Sequence, residues 1–318
     1  MFRDSEILIP ATIPEFAPAI SVVVPFHRTL PELKCLESLA RQEEAPPFEV
    51  ILIDNSRGRL AATAKAELVA RLNALKSPGN IQWVGVEAAE QPGAGFARNA
   101  GLRVAQGNWV GMLDSDDEVE VNWLAAFWSA RQAGACIVPP MVKITSRGEP
   151  LASVHPMIRF ADAPEFPEVM VTSWFVETTP LRKVGGWSND LLVGEDFELA
   201  YRLIEAGSKI VKTTDGAYLY ATPERLGDVL SRGAKYAWDD LCVRELYGRQ
   251  WALPFHGGNW VRDWIWLVRR TLMDSLKALR LRSWHPLLEP AKQWAYLAYK
   301  LRKQEPGPSF RAAGTPSL

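Results

Sequence analysis

Four short apolar runs alternate with helical stretches between Ile20 and Leu113, and this alternation limits the possible folds more than any other feature of the chain. Ile20–Pro25 reads ISVVVP, Phe48–Asp54 reads FEVILID, Ile81–Val86 is a weaker third run, and Asn108–Leu113 reads NWVGML. Runs of this length and β-branched content suit strands buried on both faces. The spacing predicts helices through Leu33, Leu36, Leu39 and Ala40, over Ala61–Lys76, and over Gly95–Gln106. Strands alternating with amphipathic helices give an α/β fold with an open, mostly parallel sheet. Ligands of such sheets gather at the carboxyl ends of the strands. Those ends are polar here: Pro25-Phe26-His27, Asp54-Asn55-Ser56 and Asp114-Ser115-Asp116-Asp117.

Beyond residue 150 the pattern is less regular, with a strand expected at Val169–Val176 and a helix at Glu195–Ala206. Residues 256–303 read as helical and tryptophan-rich, and the Pro/Gly/Ser-rich end from 304 to 318 as disordered. We expect an extended leader over 1–19, a catalytic domain over 20–229, a basic helical extension over 230–303 and a disordered tail over 304–318. Charge separates these regions. Residues 1–229 hold 21 Lys/Arg and 30 Asp/Glu, whereas residues 230–303 hold 14 and 6.

With 47% hydrophobic residues the chain can bury a core without covalent help, and its 3 cysteines show no zinc-type spacing. Neither a secretory signal nor a membrane-spanning run is expected, so the chain is placed in the cytoplasm, where a docking helix would hold it at the inner face of the membrane.

Asp114, Asp116 and Asp117 place three carboxylates within four residues of a strand end. Their mutual repulsion is relieved by a hard cation, since Mg²⁺ and Mn²⁺ take oxygen ligands and share them with phosphates. The alternative is a turn and helix cap before Asn122-Trp123, because aspartate favours both.

These features together resemble glycosyltransferase family 2, of inverting GT-A type. The resemblance rests on ISVVVP, on the Asp54-Asn55 pair, and on the run from Gly93-Ala94-Gly95-Phe96-Ala97-Arg98-Asn99 to Asp114-Ser115-Asp116-Asp117. It covers roughly residues 20–220 and implies a Rossmann-like GT-A domain, a nucleotide-diphosphate sugar donor and no nucleic-acid partner. It also implies that Asp54 and Asn55 bind the nucleotide base, flanked by Pro25, Phe26 and His27, with Phe26 or His27 stacking on it. Asp114 and Asp116 match the DxD pair that holds Mn²⁺ or Mg²⁺ against the diphosphate, with Asp114 also near the donor ribose. Asp117 adds a ligand or a cap. Arg98 is expected on the donor side, the alternative being a structural ion pair.

Gly194-Glu195-Asp196 resembles the family's second acidic motif, with Gly185-Gly186-Trp187 before it. Asp196 matches the general base, with Glu195 beside it. A helix N-terminus lowers a carboxylate pKa, while Glu195 and Glu198 raise it. The chain departs from the family in two places. Tyr218–Glu224 lacks the later histidine that completes many of its metal sites, and Gln250-Trp251 does not reproduce the QxxRW motif of processive synthases. Transfer of a single sugar to a glycan or lipid-linked acceptor hydroxyl is therefore expected. Arg232 and Lys235 are expected either at the diphosphate or in a solvated basic loop.

Two other functions are weighed. A sugar nucleotidyltransferase would need a glycine-rich loop after the first strand, and Pro25–Thr29 has no glycine. A silent nucleotide-sugar-binding module would have no need for both Asp116 and Asp196. Finally, Val261, Ile265, Val268, Leu272, Leu276 and Leu279 form one helical stripe beside Arg262, Arg269 and Arg280. That stripe either packs on the catalytic domain or contacts an anionic membrane.

Overall fold

The computed structural model describes residues 6–7, 17–27, 29–57, 62–75, 79–144, 150–154, 173–191, 194–221, 225–247, 260–281 and 284–301. The expectations for most of the leader, for 169–172, 222–224 and 250–259, and for the tail lie outside these residues. The strands are β1 (Glu6–Ile7), β2 (Ile20–Phe26), β3 (Phe48–Asp54), β4 (Ile81–Glu87), β5 (Trp109–Met112), β6 (Glu118–Val119), β7 (Cys136–Val138), β8 (Met141–Ile144), β9 (Pro150–Val154), β10 (Phe175–Glu177), β11 (Ile210–Lys212) and β12 (Tyr218–Ala221). The helices are α1 (Leu33–Ala40), α2 (Ala62–Ala74), α3 (Ala94–Val104), α4 (Trp123–Ala130), α5 (Thr178–Lys183), α6 (Glu195–Glu205), α7 (Leu226–Tyr247), α8 (Trp260–Leu281) and α9 (Leu288–Leu301).

The chain divides into two units. The first is built on a sheet ordered β1-β4-β3-β2-β5-β10-β7-β11. Strands β2, β3, β4, β5, β7 and β11 run one way, and β1 and β10 run against them. The β-branched runs of β2 and β3 are buried on both faces because helices cover each side. One core lies under α1 and α4 around Leu36, Trp123 and Phe127; the other lies under α3 and α6 around Ala97, Ala100 and Leu199. Inside α4's core the Phe127 and Phe175 rings stack at 3.8 Å. A smaller sheet runs β6-β12-β8-β9.

One residue breaks the apolar run of β3. Glu49 is 1% exposed, yet one of its oxygens accepts hydrogen bonds from the Ser21 hydroxyl at 2.6 Å and the Gln106 N–H at 2.7 Å. The Ser21 hydroxyl accepts in turn from Gly107 N–H at 2.9 Å. This buried polar knot ties β2 and β3 to the turn that feeds β5.

Register places Phe26, Asp54 and Glu87 side by side at the carboxyl edge. The sheet grows in opposite senses on the two sides of β2, towards β3 and towards β5, so the chain's topological switch lies between β2 and β5. Asp114 follows β5 at that point.

The second unit contains α7, α8 and α9. Gly233 of α7 packs so closely on α9 that an added Cβ would stand 2.6 Å from that of Ala291. Helix α8 meets α9 at Trp294, whose indole donates to the Thr271 hydroxyl at 3.0 Å and whose ring meets Trp264 edge-on at 5.2 Å. The expected stripe does not serve as this packing face: Ile265, Val268, Leu272, Leu276 and Leu279 are exposed. Among the described residues no helix is long and apolar enough to cross a membrane.

Candidate active site

Helix α3 organises the site. Its N-terminus is set by Gly93, at φ 121°, whose N–H donates to the Asn55 side-chain oxygen at 3.1 Å. The Asn55 amide nitrogen donates to the carbonyls of Ala88 and Gln91. Asn55 is thus buried and committed to the 88–93 loop. Its amide positions the start of α3. Asp54 beside it is half-buried and accepts the Ser56 N–H at 2.8 Å, a local turn that fixes the carboxylate at the sheet edge.

One turn into α3, Arg98 is 2% exposed and surrounded by carboxylates. Its Nη1 donates to Glu195 Oε1 at 2.7 Å and to both Asp196 oxygens at 3.2 Å, and its Nη2 donates to Asp114 Oδ1 at 2.9 Å. A guanidinium offers several donors in a rigid plane, which is why one residue can join three carboxylates. Arg98 is engaged in ion pairs with all three carboxylates. It connects the strand-end turn to the start of α6.

The neighbouring Asn99 holds the other side of the site. Its side-chain oxygen accepts Trp187 N–H at 2.9 Å and its nitrogen donates to Trp187 O at 2.7 Å. Gly186 sits under this clamp at φ +71°, where a Cβ would come within 2.3 Å of Asn99 Oδ1. The result aims Trp187, 2% exposed, so that its indole N–H donates to Asp196 Oδ1 at 2.8 Å. Sequence reasoning named Trp187 ahead of the acidic motif but gave it no role. Its only signal was the glycine pair before it, which marks a tight backbone approach without saying to what.

Helix α6 begins at Gly194 in the left-handed region and carries Glu195, Asp196 and Glu198 in its first turn. Glu198 pairs with Arg202 at 2.6 Å, and Arg202 also donates to Gly186 O at 2.7 Å, so this carboxylate belongs to the scaffold. Glu195 and Asp196 have side chains only 7% and 13% exposed. Burial raises both from their ordinary values. Asp196 is pushed up to about 8, with Glu195 and Asp114 adding to burial against Arg98 and the Trp187 hydrogen bond. The expected lowering at a helix N-terminus is therefore overridden. Loss of water outweighs a partial charge at the end of a helix.

The strand-end turn is more open. Asp114 has a 33% exposed side chain, Asp116 is exposed, and Asp117 is buried at 3% with its N–H on Asp114 O. Asp117 thus closes the turn from inside. Phe26 ends β2 at 5% exposure, packed in the core under α1. Pro25 is half-buried and His27 exposed at the same edge. Arg232 lies on α7, and the Lys235 side chain is outside the described residues.

Residues 21–160 match the family model described as Glycosyl transferase family 2. This stretch is a family 2 glycosyl transferase domain. It takes in the strands β2 to β5, Arg98 and the acidic turn. The pre-mycofactocin glycosyltransferases of two Mycobacterium tuberculosis strains, CDC 1551 / Oshkosh and ATCC 25618 / H37Rv, are 27% identical over 199 residues, which is 59% of this chain and 42% of theirs. The chain thus matches less than half the length of these curated relatives.

Among solved structures, the mannosyltransferase PcManGT from Pyrobaculum calidifontis, in complex with GDP-Man and Mn²⁺, superposes with a TM-score of 0.60 at 18% identity, covering 93% of this chain and 90% of that one. S. aureus TarS 1–349 in complex with UDP-GlcNAc gives 0.50 at 17% identity, covering 89% and 92%. At these identities the likeness establishes the family 2 domain's GT-A fold.

Proposed function

We propose that the chain is a glycosyltransferase that moves a single sugar from a nucleotide-diphosphate donor to the hydroxyl of a glycan or lipid-linked acceptor, with inversion. The supporting observation is the hydrogen-bonded unit in which Arg98 joins Asp114 at the switch point to Asp196 at the head of α6. It sets a proton acceptor beside the edge where such sheets bind ligands. In this reading the acceptor hydroxyl gives its proton to Asp196 while its oxygen bonds the anomeric carbon. The bond from that carbon to the diphosphate oxygen breaks, and the nucleotide diphosphate leaves. A carboxylate raised by burial is a stronger base than one in water, which suits proton removal from an alcohol. Trp187 and Arg98 fix its orientation, and Asp54 meets the nucleotide base.

A Mn²⁺ or Mg²⁺ ion belongs to this proposal. Among the described residues no three His, Cys, Asp or Glu side chains form a self-sufficient metal cluster. Asp114 and Asp116 provide two carboxylates on one accessible turn. That fits a cation completed by donor phosphates and water, the usual habit of Mg²⁺. When bound, it would neutralise the departing diphosphate.

The test is nucleotide release from a panel of UDP-, GDP- and dTDP-sugars with Mn²⁺, Mg²⁺ or EDTA. Release that is lost in Asp116→Ala and Asp196→Asn supports the reading. Donor binding without turnover on any acceptor supports a silent binding module in its place.

A further inference from the structure

Helix α8 packs Trp264 against Trp294 of α9 at 5.2 Å and buries Leu267, but leaves a second set of large apolar side chains exposed. At about 100° per residue, Ile265, Val268, Leu272, Leu276 and Leu279 fall in a sector of about 80°. Ile265, Leu272, Leu276 and Leu279 are 65%, 62%, 64% and 67% exposed. Thr271 and Trp264 meet Trp294 of α9, and Leu267 and Ala278 are buried. Isolated exposed leucines are ordinary, but a continuous stripe of this length marks a surface that something covers.

Charge identifies the occupant. Arg269 and Arg280 border the stripe, Lys277 and Arg270 lie just beyond, and all four are exposed. The one described carboxylate on this helix, Asp274, is 8% exposed and pairs with Arg270 at 2.6 Å. The exposed face thus carries cations of a single sign next to its apolar stripe. Antiparallel self-pairing would bring the basic border of one copy against the same border of the other. A lipid surface satisfies both features at once, with acyl chains for the stripe and anionic headgroups for the border.

We propose that α8 lies in the plane of an anionic membrane surface, stripe inward, and tethers the chain there as a peripheral protein. Each basic residue near an anionic leaflet strengthens binding roughly fivefold, so Arg269, Lys277 and Arg280 together contribute on the order of a hundredfold.

Co-sedimentation of the full chain with vesicles of phosphatidylcholine alone, or with roughly one-third phosphatidylglycerol added, tests this. Binding to the anionic vesicles is expected to be on the order of a hundredfold stronger than to the neutral ones and to weaken as salt is raised. The double variant Leu272→Glu/Leu276→Glu should abolish it. The triple variant Arg269→Gln/Lys277→Gln/Arg280→Gln should bring anionic binding down to the neutral level. These positions are exposed, so unchanged circular dichroism and melting of the variants are expected alongside. A chain that stays in the supernatant overturns the proposal, as does vesicle binding undiminished in the leucine variant. So does an oligomer, seen by light scattering, that the leucine variant dissociates while vesicle binding is absent. The assay contains neither donor nor acceptor, so its outcome and that of the nucleotide-release test are independent.

Discussion

The two acidic motifs of the site are close in sequence character and opposite in surroundings. Asp114-Ser115-Asp116-Asp117 forms a turn at a strand end with Asp116 exposed, whereas Glu195-Asp196 opens a helix with side chains 7% and 13% exposed. An exposed carboxylate keeps its charge and can share a cation with an incoming diphosphate. A buried one holds its proton more tightly and becomes a better base. Arg98 touches both, so one guanidinium offsets the open motif and the closed one together. Similar side chains thereby acquire different chemistry from solvent access alone.

The contrast is most severely tested by Arg98→Met, which keeps volume but removes the shared cation. Three carboxylates then face one another, and stability should drop by about 3–5 kcal/mol, read as a lower urea midpoint, with transfer lost. A drop below about 1 kcal/mol would mean the motifs do not depend on their common partner.

Asp196→Asn separates activity from stability. Turnover should fall by roughly 10²–10⁴-fold in the transfer assay. The folded chain holds the Asp196 proton up to about pH 8, whereas the unfolded chain releases it near its ordinary, lower value. The folded state therefore binds more protons in that window, and stability falls as pH rises through it. The variant lacks this penalty, so its melting temperature should exceed the parent's by roughly 2 °C or more at the alkaline end, and the gap should close in acid. The parent's activity should rise with pH towards about 8, as its base ionises.

Asp116→Ala addresses the open motif. Activity should fall and recover in part as Mn²⁺ is raised, while stability moves by less than about 0.5 kcal/mol because the residue is exposed. The smallest effect is expected from Trp187→Phe. The ring remains but the hydrogen bond to the ionised base is lost, so the rising limb of the pH–rate profile should move up by about one unit, with turnover lowered several-fold.

Much of this was legible before any coordinates. A strand buried on both faces writes itself as an unbroken β-branched run, and Phe48–Asp54 has the same limits in sequence and structure. The acidic motifs were visible because they sit at element ends. The Arg98 partners were not, since Asp114, Glu195 and Asp196 lie 16, 97 and 98 residues away. The sign of the Asp196 shift was left open for a related reason: helix ends and neighbouring charges are local, while burial depends on every element that closes over the site. The burial of Phe26 was hidden because a strand's last residue reads the same whether it points to core or to ligand. For α8 the periodicity gave an apolar stripe and left open which face its neighbour would take.

The buried Glu49 has a consequence for how the chain assembles. Its donors come from β2 and from the turn between α3 and β5, so the carboxylate is satisfied only when three separate segments have arrived. A slip of one residue between β2 and β3 would strand it among aliphatic side chains. The polar residue inside the apolar strand serves as a check on register, exercised each time the molecule folds.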